Sequence, residues 1–332
     1  MPSTVLQATA LRATALQATA LQATALQATL LQATLHTLLQ AWRRRRWQPD
    51  RAALAAYQDL KPMVVVTGAS EGIGYALARR FAAAGNDLIV VARRPQPLAE
   101  AAARIRAEFH VATVAVSVDL TEPHATGAIE AALADHRGFA DVLINNAGMG
   151  LAGAFISQPP EAVLQLLELN VLALTRLMRH FLPGMRARGR GGILNLASLG
   201  GYVPGPYQAV YYASKAYVLA LSEAVAAETS GEGVRVCALV PGPVSTDFHR
   251  RMGSERSFYR YLVPPASPDR VAAAAYRGFA FGWRVIIPGI FNPALAVALR
   301  ILPHRIGAAI VGWLLKPRWQ ETSANGSQTT MN

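Results

Sequence analysis

The sequence predicts an α/β protein: a doubly wound parallel sheet of about seven strands with helices on both faces. Three observations carry the prediction. From Met63 onward, short apolar runs of strand length alternate with longer segments of helical periodicity. The first of those runs, MVVVT, breaks into the glycine-rich turn TGASEGIG and then a helix-length segment. The chain has 332 residues and is 52% apolar, enough to cover both faces of a large sheet. Alternating strands and helices imply parallel strands joined by crossovers. Right-handed crossovers then wind helices onto both faces.

The elements follow in order. After MVVVT, residues 72–84 (GIGYALARRFAAA) read as a helix stopped by Gly85. DLIVVA is the second strand and PLAEAAARIRAEF the second helix. TVAVSV, EPHATGAIEAALADH and DVLIN give a third strand, a third helix and a fourth strand. EAVLQLLELNVLALTRLMRHFL reads as one long helix, and GILNLAS as the fifth strand. YYASKAYVLALSEAVAAET is helical, VRVCALV is the sixth strand, SPDRVAAAAYRGF is helical and WRVIIP is the seventh strand.

The flanks differ. Residues 1–62 hold a degenerate LQATA repeat and the basic run AWRRRRW. A five-residue period advances Leu by about 140° per repeat, so no single apolar face forms. This segment is expected to be a low-complexity tail and linker. Residues 63–290 form the predicted α/β domain, 291–319 an apolar C-terminal extension, and 320–332 a polar, disordered tail.

Composition narrows the function classes. The single Cys237 excludes an intramolecular disulfide and a multi-cysteine metal site, and no metal is expected. The net charge of +12 is diffuse and lacks the dense basic stripe of a nucleic-acid binder, so no nucleic acid is expected as a partner.

The motifs point to chemistry. Glycines 68, 72 and 74 in the TGASEGIG turn permit a tight strand-to-helix bend. They also bring helix-opening amides to an anion such as a pyrophosphate. At the end of the second strand stand Arg93 and Arg94 where a ribose-reading carboxylate would be expected for NAD. Arginines there accommodate a 2′-phosphate, so NADP(H) is favoured and NAD(H) left open. Glu71, inside the loop, is unfavourable to a nearby phosphate. Farther on, Tyr211 precedes Lys215 by four residues, and Ser198 lies thirteen residues before Tyr211. On a helix, i and i+4 share a face. A cation beside a phenol favours the phenolate and suits it to proton transfer near neutral pH.

Thr67–Gly74, Asn145-Asn146-Ala147-Gly148, Ser198, Tyr211–Lys215 and Pro241-Gly242 occur in the order and spacing of one family. Over roughly Met63–Gly289 the chain resembles the short-chain dehydrogenase/reductases. The resemblance implies a single-domain Rossmann-type fold and hydride transfer between a nicotinamide and a carbonyl or alcohol. It implies Tyr211 as acid/base and Lys215 as the residue holding the nicotinamide ribose and lowering the Tyr211 pKa. It implies Ser198 as the hydrogen-bonding partner of the substrate oxygen, and Asn170 as the holder of a relay water. Gly68, Ser70, Gly72, Ile73 and Gly74 would contact the cofactor, as would Arg93 and Arg94. Asp119 would read the adenine amino group, with Leu120 against the ring. Asn146, Ala147 and Gly148 would lie beside the cofactor, which Pro241, Gly242, Val244 and Thr246 would close over. A non-catalytic nucleotide-binding protein is the alternative class, disfavoured because Ser198, Tyr211, Lys215 and Asn170 are all present.

The substrate side is expected to involve Met149, Tyr202, Tyr207, Phe248, Phe258 and Tyr261, which suggests an apolar ketone or aldehyde. His249, Arg250 and Arg251 read as a solvated charge run. The two apolar stretches of 291–319 are each too short to span a bilayer. They are expected to pack on the domain or in an oligomer interface, with peripheral membrane contact and a lipidic, steroid-like or acyl substrate as the alternative. The expected setting is a cytoplasmic homo-oligomer.

Overall fold

The computed structural model describes residues 59–254 and 264–316. The repeat segment, most of the basic linker, the polar tail, and Phe258 and Tyr261 lie outside the described residues. The strands are β1 (Lys61–Thr67), β2 (Asp87–Ala92), β3 (Thr113–Ser117), β4 (Gly138–Asn145), β5 (Gly191–Leu196), β6 (Val234–Leu239) and β7 (Val285–Ile286). They form one seven-stranded sheet in the order β3-β2-β1-β4-β5-β6-β7, and every pairing is parallel. The order reverses between β1 and β4, where the open crevice of such a sheet lies.

The helices are α1 (Gly72–Ala82), α2 (Pro95–Phe109), α3 (Ala125–Asp135), α4 (Pro160–Leu167), α5 (Leu174–Ala187) and α6 (Ala209–Glu228). They continue as α7 (Phe248–Met252), α8 (Pro268–Phe281), α9 (Asn292–Ile301) and α10 (His304–Leu315). Side chains alternate across a strand, and the two sheet faces use this directly. Met63, Val65, Ile89 and Val91 belong to one core cluster with Ile129 of α3, Leu177 of α5 and Val218 of α6. Their neighbours Val64, Val66, Leu88 and Val90 are equally buried, on the other face. There α1 packs on α2 and α8, with Phe81 and Phe279 meeting edge to face at 5.9 Å.

Two elements depart from the sequence reading. The long helix predicted over 161–182 is broken into α4, a π-helical turn at Glu168–Ala173, and α5. The predicted seventh strand WRVIIP pairs only through Val285 and Ile286. It meets a neighbour on one side alone, so little of its length is held.

The apolar extension packs on the domain. α10 presents Gly307, Val311 and Leu315, one face at i, i+4 and i+8, to the protein. Val311 and Leu315 cluster with Val203, and Tyr212 and Leu299 close the cluster. A Cβ on Gly307 would come within 2.8 Å of Val203, so the absent side chain is what lets α10 approach.

Candidate active site

The crevice at the carboxyl ends of β1, β4 and β5 opens into a cleft of about 1250 Å³. One side is the turn between β1 and α1. Gly68 (φ +64°) and Gly72 (φ +59°) adopt left-handed backbone there, which other residues enter only at a cost. Gly74 stands one layer behind the cleft wall, where a Cβ would overlap the Gly68 carbonyl and the Asn146 amide. The loop is tied to β4 by Thr67. Its hydroxyl donates to Ile144 O (3.2 Å) and accepts from the amides of Asn146 and Ala147 (both 3.0 Å). Asn146 Nδ2 donates in turn to the carbonyls of Thr67 (2.9 Å) and Gly68 (3.1 Å). Asn146 therefore lines the cleft and also clamps the glycine turn, a second task that the sequence did not reveal.

At the β2 and β3 ends, Asp119 Oδ1 accepts from the amide (3.0 Å) and hydroxyl (2.8 Å) of Thr121, and Arg93 approaches Oδ2 at 3.5 Å. Partial burial is the largest single influence and pulls the carboxyl up. The Thr121 bonds and the Arg93 charge together outweigh it and hold Asp119 below its ordinary range. Glu71 is paired on both sides, accepting from Arg94 (2.8 Å) and from Arg251. The carboxylate expected to repel a phosphate is thus neutralised, by one arginine of the β2 end and one from α7. Arg251 is an ion-pair partner and a cleft-lining residue rather than a purely solvated charge, while Arg250 pairs locally with Asp247.

The other side of the cleft comes from β5 and α6. Ser198 follows β5, and its Oγ accepts from the Gly200 amide (3.1 Å), opening the 3-10 turn Leu199–Tyr202. Tyr211 and Lys215 sit one turn apart on α6, with the Lys215 ammonium 5.8 Å from the centroid of the Tyr211 ring. Lys215 Nζ donates to Leu196 O at the end of β5 (2.7 Å). Burial brings the Lys215 pKa down from 10.5 to about 8. The phenylalanine of α7, Phe248, lies 5.6 Å from the Tyr211 ring.

Asn170, in the π-helical turn, is 1% exposed and does not line the cleft. Its Oδ1 accepts from the Met149 amide (2.9 Å), and its Nδ2 donates to Met149 O (2.8 Å) and Ser214 Oγ (3.1 Å). Ser214 Oγ donates to Tyr211 O (2.7 Å). The π turn is where one extra residue per turn re-aims a side chain, and helical periodicity cannot reveal it. Ser214 itself carried no motif signal.

Of the remaining sequence candidates, Ser70, Ile73, Arg93, Leu120, Ala147, Gly148, Pro241, Gly242, Val244 and Thr246 all border the cleft. Tyr202 and Tyr207 do not; Tyr202 packs against the core, while Tyr212 takes a place on the wall. The sequence also missed the far wall, which Leu295 and Leu299 of α9 and Val311, Leu314 and Leu315 of α10 supply. A C-terminal extension has no family motif to mark it. A glycine turn, paired arginines and an ionised Asp119 at one end, with a buried lysine beside a tyrosine at the other, fit a dinucleotide. Among the described residues, no group of His, Cys, Asp and Glu is arranged to hold a metal.

This fold and site define a nicotinamide-dependent oxidoreductase of the carbonyl and alcohol group. The short chain dehydrogenase family model matches residues 62–257, and the chain belongs to that family. It is 33% identical over 230 residues to 3beta-hydroxysteroid dehydrogenase 1 of Eggerthella lenta, covering 66% of this chain and 87% of that one. A short-chain dehydrogenase from Sphingobium yanoikuyae in complex with NADPH superposes with a TM-score of 0.65 at 39% identity. That match covers 72% of this chain and 91% of the other. The bulky-bulky ketone specific alcohol dehydrogenase of Comamonas testosteroni superposes with a TM-score of 0.61 at 30% identity, covering 73% of this chain and 95% of that one.

Proposed function

We propose that the protein reduces an apolar ketone or aldehyde with NADPH. The observation that carries this reading is the meeting of Ser198, Tyr211 and Lys215 with the glycine turn in a single cleft. When bound, the nicotinamide supplies a hydride to the carbonyl carbon. Tyr211 then gives its phenolic proton to the carbonyl oxygen, and Ser198 donates a hydrogen bond to that oxygen as its charge develops. The Lys215 ammonium stabilises the phenolate left behind. Asn170 holds Met149 and, through Ser214, the backbone of Tyr211, so its part is to position the acid/base turn and the end of any water relay.

NADP(H) is favoured over NAD(H) because Arg93 and Arg94 stand at the β2 end with no carboxylate on β2's tip. The apolar far wall from α9 and α10 supports a lipidic, steroid-like or acyl carbonyl as the narrower substrate class. A cytoplasmic homo-oligomer completes the reading. Exposed Leu164 on α4, Leu172 in the π turn and Tyr217 on α6 give an apolar surface for self-association.

A panel of carbonyls and alcohols, followed by NADPH and NADH absorbance, tests the assignment. Tyr211→Phe should remove turnover while NADPH still binds, as seen by fluorescence. Normal turnover in Tyr211→Phe would sink the mechanism.

A further inference from the structure

We propose that α9, α10 and the loop before them form a docking surface for an anionic lipid membrane. Beyond His304 and Arg305, α10 is apolar all round. Gly307, Val311 and Leu315 face the protein, yet Ile306, Ile310 and Trp313, at i, i+4 and i+7, form a second apolar stripe that is exposed. A surface helix normally turns polar residues outward. α9 repeats the pattern: Ala296 is buried, while Val297 and Ile301 are exposed, Ile301 at 76%. The loop ahead of α9 adds Ile290 at 90% and Phe291 at 83%. Large exposed apolar side chains recurring on two successive helices and the loop before them mark an interaction site rather than scattered surface leucines.

Charge selects the occupant. Between Asp269 and Glu321 the sequence has no acidic residue. Arg300 on α9, Arg305 on α10 and Lys316 just after it are all exposed. An apolar face on helices that carry cations and no carboxylate of their own is complementary to acyl chains beneath anionic headgroups. It is not self-complementary, because a second copy would bring the same cations to the same rim. The basic N-terminal segment, net +5 over residues 1–62, has the wrong sign for the same reason. No helix among the described residues is long and apolar enough to cross a membrane, so the contact is with the surface. The inner faces of the same two helices wall the cleft. Docking would therefore set the apolar end of the cleft against the lipid.

Vesicle co-sedimentation of the full chain tests the proposal without reference to turnover, so it stands or falls separately from the reductase reading. Phosphatidylcholine vesicles with about one-third phosphatidylglycerol should bind on the order of tenfold more protein than phosphatidylcholine alone. The triple substitution Ile301→Ser, Ile306→Ser, Ile310→Ser should reduce binding on the order of tenfold, with the thermal transition retained. If that variant does not fold, Ile290→Ser with Phe291→Ser, in the loop, should give the same loss. Substituting Arg43–Arg46 by Ser should leave the dependence on the apolar face intact. Failure of the parent to bind anionic vesicles overturns the proposal. So does binding that the folded face variants leave unchanged, which would place the contact elsewhere. Loss of a dimer in those variants, with no vesicle binding by the parent, would assign the face to a second copy and overturn it too.

Discussion

The carboxamide of Asn170 meets the backbone of Met149 with both of its atoms, accepting from the amide at 2.9 Å and donating to the carbonyl at 2.8 Å. This pairs a side chain of the π turn with the loop after β4, across 21 residues of sequence. Substituting Leu for Asn170 would leave both Met149 groups and Ser214 short of a partner in a buried place. Each such loss costs about 1–3 kcal/mol. Denaturant unfolding should show Asn170→Leu destabilised by at least about 3 kcal/mol, with kcat reduced more than KM. Asn170→Asp keeps the shape and the acceptor but loses the donor, and should be nearly as harmful. A variant with full stability and unchanged kcat would remove Asn170 from the positioning role.

Lys215 is buried at a cost to stability. Its pKa falls to about 8 in the folded chain because burial disfavours the ammonium. Below pH 8 the residue is charged in both states, so the folded protein carries the whole desolvation penalty. Between the folded value and the ordinary lysine value near 10.5, the unfolded state binds more protons and stability rises with pH. Lys215→Met should therefore stabilise the cofactor-free protein at pH 7 by about 1–3 kcal/mol. The gain should shrink as pH rises above 8, while turnover falls by at least about a hundredfold. Urea titrations at several pH values read the first effect directly.

The Glu71 pairings make a cofactor prediction. Arg94 and Arg251 both spend charge on that carboxylate. Glu71→Gln should release Arg94 and lower the KM for NADPH several-fold, with little change for NADH. Arg93→Ala should raise the NADPH KM about tenfold or more, since a charged hydrogen bond to phosphate is worth about 1.5–3 kcal/mol. Because the pairs are half exposed, stability should move by less than about 1 kcal/mol in either case.

Away from the cleft, Arg190 Nε donates to Asp141 Oδ1 at 2.9 Å, and both side chains are buried. Burial pushes the Asp141 carboxyl up, against the pull of Arg190 and then Arg188. Removing one partner strands the other, so Arg190→Ala should cost about 3–5 kcal/mol in unfolding free energy. Turnover well below the melting temperature should hardly change.

Cys237 lies inside β6, and burial raises its thiol to about 12 despite the nearby Arg235 charge. Only the thiolate reacts. A disulfide reagent should therefore leave the native chain unlabelled and react with one thiol per chain on denaturation.

Much of this was legible in sequence because the relevant signals are local. Buried strands read as unbroken Val/Leu/Ile runs, and the glycine turn, the Tyr211–Lys215 spacing and the paired arginines each occupy a few consecutive residues. What escaped was non-local. The second task of Asn146 depends on Thr67, 79 residues away. The hold of Asn170 on Met149 needs the π turn, which leaves no periodic trace. Nor could periodicity decide which apolar face of α10 meets the protein, since both faces qualify.

The adjacency of β1 and β4 also carries a consequence for synthesis. A chain emerging from the ribosome completes β1, β2 and β3 while β1 still shows a bare ladder to one side. The clamp from Thr67 to Ile144 spans 77 residues, and such distant pairings close late. Until residue 146 is out and docked, the nascent glycine turn lacks its anchor. A cofactor added during translation can therefore steady the fold only after β4 has emerged, and truncation before β4 should leave the glycine turn without its anchor.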